Sequence, residues 1–129
     1  LMRILGDTHV LLWAGAQSSR LPADARDLLE DMGNTLYCST ASLWEIAIKS
    51  ALRRQDFDID LREFRLALET MEVEEIPVLG QHTEAVVSLP AIHKDPFDRM
   101  LIAQSMTEPL VLLTNDAVLA QYWDGVKLI

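Results

Sequence analysis

Leu110-Val111-Leu112-Leu113-Thr114-Asn115-Asp116 decides the architecture. Consecutive apolar residues with no polar alternation suit a strand only when both of its faces are covered, as in the middle of a parallel sheet. The run then stops on a hydroxyl, an amide and a carboxylate. In open α/β sheets ligands bind outside the carboxyl ends of the strands. Asp116 therefore stands where a ligand would be met.

Reading outward from this strand, Pro96 to Met106 is predicted as a helix, with Pro96 at its start where a missing N–H costs nothing. Asn115 or Asp116 opens a short helix to Tyr122, and Val126-Lys127-Leu128 makes a last strand. The rest of the chain alternates in the same way. Arg3-Ile4-Leu5 is a strand, Asp7-Thr8 a helix cap, and His9 to Ala14 the helix it opens. Pro22 to Met32 reads as a helix closed by Gly33, and Thr35 to Cys38 as a strand. Ser39-Thr40 caps a helix from Ala41 to Arg53, whose Leu43, Ile46, Ala47 and Ala51 recur at helical spacing. Asp60 caps a helix carrying Leu61, Phe64, Leu68 and Met71. Glu74 to Val78 is a strand, and Gln81 to Ser88 a helix ended by Pro90. Strands spaced by helices predict an α/β fold, with a central parallel sheet flanked by helices on both faces.

The chain has 129 residues, which fits one domain over residues 1–129 with a core of its own. Half of the residues are hydrophobic, which excludes a disordered chain. The single cysteine, Cys38, lies in an apolar run and reads as a small buried hydrophobe. It excludes a disulfide framework within the chain and points to a reducing cytoplasm. No signal-peptide pattern opens the sequence and no apolar run is long enough to span a bilayer, so no membrane partner is expected. The net charge of -9 runs against simple nucleic-acid binding, which Lys and Arg drive by neutralising phosphates. A nucleic-acid ligand fits this charge if carboxylates gather in one pocket where divalent cations cancel them, or if the acidic surface faces a basic partner.

Four acids fall near one edge of the expected sheet. Asp7 follows the first strand and Asp116 the apolar strand, Asp98 lies in the first turn of the helix before that strand, and Glu45 lies early in the helix after the second strand. Glu45 and Asp98 are embedded among apolar residues, where an unpaired carboxylate is costly. Singly, each acid has a plain structural reading: Asp7, Asp98 and Asp116 as caps or first-turn acids, Glu45 as the partner of Lys49 one helical turn on. Together, a metal site is an equal reading. Carboxylate oxygens without a His or Cys cluster suit Mg²⁺ or Mn²⁺.

Four segments carry a family resemblance. Ile4-Leu5-Gly6-Asp7-Thr8-His9-Val10-Leu11-Leu12-Trp13, Ser42-Leu43-Trp44-Glu45-Ile46-Ala47-Ile48-Lys49, Asp95-Pro96-Phe97-Asp98-Arg99-Met100-Leu101-Ile102-Ala103-Gln104 and Leu113-Thr114-Asn115-Asp116 resemble, in order and spacing, the four motifs of PIN domains, and more specifically of VapC-type toxins. The resemblance implies a Rossmann-like parallel sheet and a ribonuclease using Mg²⁺ or Mn²⁺ held by Asp7, Glu45, Asp98 and Asp116, with Thr8 and Thr114 as supporting hydroxyls. It also implies a cognate antitoxin, a homodimer and larger toxin–antitoxin complexes. Asp95 matches no ligand position and reads as the cap of the Pro96 helix. Gly6 departs from the pattern, which has a larger apolar residue there; it either loosens the strand or marks a close approach.

Lys49, Arg53 and Arg99 are candidate RNA contacts, with solvated or paired surface charges as the equal alternative. His9 and His93 are read as structural or substrate-contacting, and Trp13 and Trp44 as core or dimer-interface residues. Two other functions compete. A receiver-like phosphoacceptor module would want paired acids after the first strand and an acceptor Asp after a middle strand. Here Asp7 stands alone and the second strand ends at Ser39-Thr40. A catalytically silent PIN-like binding module would show loss of an acid, and all four are present.

Overall fold

The computed structural model describes residues 1–52 and 58–129. Five strands, β1 (Arg3–Gly6), β2 (Thr35–Ser39), β3 (Val73–Ile76), β4 (Val111–Thr114) and β5 (Val126–Leu128), form one sheet in the order β3-β2-β1-β4-β5. Every neighbouring pair is parallel. Among the described residues six α-helices connect them: α1 (Thr8–Gly15), α2 (Ala23–Glu30), α3 (Thr40–Ala51), α4 (Leu61–Thr70), α5 (Gly80–Val87) and α6 (Pro96–Thr107). The α/β architecture read from the sequence is the one observed.

The pleat sends alternate side chains to opposite faces, and the core divides accordingly. Ile4, Leu36, Cys38 and Leu113 join Val10, Leu11, Ile46, Phe64 and Leu68 on one face. Leu5 and Leu112 join Leu101, Ile102 and Leu119 on the other, with Tyr37 and Val126 packed against them. This two-sided burial is why β4 tolerates no polar residue before Thr114.

The caps fall where short polar residues precede apolar periodicity. Asp7, Ser39, Asp60 and Asp95 accept from backbone N–H groups of the first turns of α1, α3, α4 and α6. Three boundaries differ from the sequence reading. The second helix stops at Glu30, not at Met32: Asp31 is extended, and its Oδ1 accepts from the Gly33 N–H at 2.8 Å, turning the chain toward β2 without a left-handed glycine. β3 ends at Ile76, before Pro77, which has no N–H for the ladder. The helix expected after Asp116 is reduced to a 3-10 turn, Leu119–Gln121. The expected end of α3 at Arg53 lies outside the described residues.

Gly6 is a close approach. A Cβ there would lie 2.6 Å from Cγ and Cδ2 of Leu11, a side chain enclosed in the core. Gly6→Ala should therefore destabilise the fold by about 1–3 kcal/mol through overpacking. Chemical denaturation checks this; an unchanged midpoint would show that Leu11 can yield freely.

Candidate metal centre

The strand order reverses direction between β1 and β4, so the crevice outside their carboxyl ends is the topological switch point of the sheet. Asp7 leaves β1 there. Its Oδ1 accepts from the His9 N–H at 2.9 Å, and its Oδ2 accepts from the Thr114 hydroxyl at 2.6 Å. Thr114 Oγ1 also accepts from the Asp116 N–H at 3.0 Å. One hydroxyl thus ties together the ends of β1 and β4. Asp116 Oδ1 accepts from the Val118 N–H at 2.9 Å, and its Oδ2 faces His93 Nε2 at 3.0 Å.

The other two acids come from helices. Glu45, buried on α3, accepts from the Thr8 hydroxyl at 2.7 Å and pairs with Lys49 Nζ at 2.5 Å. Thr8 has a single hydroxyl hydrogen, so Ser42 Oγ, 2.8 Å away, must donate to Thr8 while Thr8 donates to Glu45. Asp98 lies in the first turn of α6, where the helix N-terminus favours an anion. Its Oδ2 is 3.3 Å from His93 Nε2.

Burial pushes the Asp98 carboxyl up to about 7, with the charges of Asp7 and Asp95 adding to the effect, His93 opposing it and Glu45 adding a smaller push. Asp7 is also raised, first by burial, against the bonds from Thr114 and His9, with the Glu45 charge adding to it. The charges of Asp7 and Glu45 therefore both reach Asp98, and that of Glu45 reaches Asp7. His93 joins Asp98 to Asp116, one ligand-type atom from each of the three lying within 4.8 Å of the others. Of the four sequence-predicted acids, Asp98 and Asp116 meet at His93, while Asp7 is tied to the Asp116 backbone through Thr114 and Glu45 is held by Thr8. Among the described residues Asp7 and Glu45 do not join the group that lies within 4.8 Å. The local structural readings hold at the same time: Asp7 caps α1, and Glu45 pairs with Lys49.

The PIN domain family profile matches residues 4–123. The chain belongs to the PIN domain family. Solved structures share the fold of this PIN domain. VapBC2 from Rickettsia felis bound to a promoter DNA fragment superposes with a TM-score of 0.71 at 15% identity, covering 99% of this chain and 98% of that one. A toxin–antitoxin complex from Klebsiella pneumoniae gives 0.65 at 22% identity, covering 96% and 95%. DNA-bound VapBC from Salmonella typhimurium gives 0.65 at 16% identity, covering 100% and 98%. At these identities the likeness is one of fold. No curated protein matches the chain.

Around the PIN acids, the candidate RNA contacts are engaged within the chain. Lys49 is held on Glu45, 5.9 Å from the Phe97 ring centroid. Arg99 donates to the carbonyls of Pro90 at 3.0 Å and Val86 at 3.2 Å, so its guanidinium organises the loop before α6. Arg53 lies outside the described residues. Trp13 packs against the core, but Trp44 is 65% exposed and meets Phe97 edge-on at 5.9 Å, so it is not a core residue. Cys38 is buried and its thiol is pushed up to about 12 by burial, which makes it inert at neutral pH. Ser39 and Thr40, at the receiver-like acceptor position, accept from the N–H groups of Ala41 and Val78. The sequence reading missed Ser42 and Tyr122. Ser42 was signalled only by its helical spacing from Glu45; the Tyr122 hydroxyl, which accepts from the His93 N–H at 2.7 Å, had no local signal.

The raised Asp98 pKa has a stability consequence. An unfolded Asp titrates near 3.9, so the folded state holds this proton more tightly, and the group's contribution is lost as pH rises from about 4 to about 7. Asp98→Asn removes the penalty. In chelator, its stability advantage over wild type should be small at pH 4 and widen to the order of 2 kcal/mol at pH 8. Unfolding across that pH range tests this, and parallel curves would contradict it.

Proposed function

We propose that this PIN domain is a metal-dependent endoribonuclease acting as the toxin of a type II toxin–antitoxin pair. The observation that carries the reading is the meeting of Asp98 and Asp116 at His93 beside the switch point, with Asp7 and Glu45 near enough that their charges help raise Asp98 toward neutrality. Carboxylates so placed need positive charge, which a divalent cation would supply beside the Lys49–Glu45 pair. The donor set is oxygen from acidic side chains, which fits Mg²⁺ or Mn²⁺. Asp7, Glu45 and Asp98 would hold the ion directly or through water, and Asp116 would complete the site.

When bound, the ion supplies charge neutralisation for the phosphodiester and a water acidic enough to act near neutral pH. The chain's own groups prepare for this. Thr114 fixes the free face of Asp7, the Ser42–Thr8 relay fixes one oxygen of Glu45, and the first turn of α6 fixes Asp98. This reading reconciles an acidic chain with an RNA substrate, because the ion offsets the local negative charge that surface lysines do not.

The partner assignments are part of the same proposal. Structures sharing the fold include a toxin–antitoxin complex, and a net charge of -9 suits a basic antitoxin segment. We place the protein in the cytoplasm, as a homodimer within a larger toxin–antitoxin assembly. Among the described residues no helix is long and apolar enough to cross a membrane.

Purified, antitoxin-free protein incubated with total RNA should cleave in Mg²⁺ or Mn²⁺ and not in chelator. Asp98→Asn should lose cleavage to background while its circular dichroism stays that of wild type. Cleavage that persists in chelator, or full activity of the variant, contradicts the assignment.

A further inference from the structure

His93 lies between two of the acids, with Nε2 3.0 Å from Asp116 Oδ2 and 3.3 Å from Asp98 Oδ2. Its position makes it look like a third ligand. The other ring nitrogen argues otherwise. Nδ1 is 3.0 Å from the backbone N of Asp95 and accepts its hydrogen. A neutral imidazole has one N–H, so an accepting Nδ1 leaves the proton on Nε2. Nε2 is then a donor to Asp116, with Asp98 Oδ2 close beside it, and has no lone pair for a cation. To ligate, the ring would need its proton on Nδ1, against the Asp95 N–H.

The surroundings hold the residue in this pose. The His93 N–H donates to the Tyr122 hydroxyl at 2.7 Å, and its carbonyl lies 3.5 Å from Nη1 of Arg99. The same Arg99 grips the Val86 and Pro90 carbonyls. Asp95, which fixes the ring through its N–H, also caps α6 through its side chain, bonding to the N–H of Asp98 itself at 3.0 Å. Ring orientation and Asp98 placement therefore share one support.

We propose that His93 is a positioning residue of the metal centre: its Nε2–H bonds Asp116 and lies against Asp98, holding the two carboxylates together so that their remaining lone pairs face the ion, and it is not itself a ligand. The proposal rests on the metal-dependent reading above. Each carboxylate oxygen carries two lone pairs, so accepting from His93 leaves it able to coordinate. Without the donor, the two like charges repel and the ion must gather them from a wider spread. Loss of such an outer-shell bond typically weakens metal affinity 10–100-fold.

The test is Mg²⁺ and Mn²⁺ binding measured separately by calorimetry on wild type, His93→Ala and His93→Gln, with pulsed EPR of Mn²⁺ bound to wild type. His93→Ala should weaken both ions in parallel by about 10–100-fold. His93→Gln, whose amide N–H reaches the same place, should recover most of the affinity, and the EPR should show no directly bound nitrogen. Unchanged or tighter binding in His93→Ala overturns the positioning role alone. A selective loss of Mn²⁺, with nitrogen coupling in wild type, overturns it in favour of direct ligation. Wild type that binds neither ion overturns the metal reading and this proposal with it. If His93→Ala fails to fold, the EPR and His93→Gln decide: directly bound nitrogen, or binding lost in the glutamine variant, overturns the proposal, and near-wild-type binding without nitrogen coupling supports it.

Discussion

The Thr114 hydroxyl sits at the end of β4 with one hydrogen to give, and it gives it to Asp7 at the end of β1. Asp7 is among the buried groups of the chain, and burial is the main cause of its raised pKa. A carboxylate in that position is costly unless hydrogen bonds and neighbouring charge compensate it. Thr114 and the His9 N–H provide two of those bonds, and the Asp116 backbone N–H closes the arrangement by donating back to Thr114. The backbone ladder sets the spacing of β1 and β4, and this one side chain then fixes the direction of Asp7 and the position of Asp116.

The remaining acids reach the same place because caps set where helices begin. Ser39 starts α3 at the end of β2, which carries Glu45 inward beside Thr8; Asp95 starts α6 and holds the N–H of Asp98. The helix-cap and site roles are thus not competitors. A cap fixes the first turn of a helix, and a first turn at the carboxyl edge of a parallel sheet is where an acid can point at the crevice.

Much of this was legible in the sequence, for local reasons. The apolar run before Thr114 could only be an interior strand, and Asp7, Ser39, Asp60 and Asp95 were recognisable as caps because their bonds reach only two or three residues along the chain. The resemblance of four short segments then placed the acids. What stayed hidden is what depends on tertiary neighbours. Nothing local sets the order β3-β2-β1-β4-β5. Hydropathy reverses the truth on α3, where the acid Glu45 is inside and the indole of Trp44 outside. Gly33 looked like a helix stop because an Asp31 side-chain turn does the same work without a left-handed residue. The pairing of buried His82 with Glu108, which links the start of α5 to the end of α6, spans 26 residues without any motif.

The central claim is that acids far apart in the chain grip one hard cation. Crystals of the antitoxin-free protein soaked in Mn²⁺ and measured for anomalous scattering put it to the most direct test. The account predicts a single dominant peak in the crevice between β1 and β4, within coordination distance of carboxylate oxygens from at least two of Asp7, Glu45 and Asp98. A crevice without a peak, or a peak held by unrelated surface acids, would contradict it.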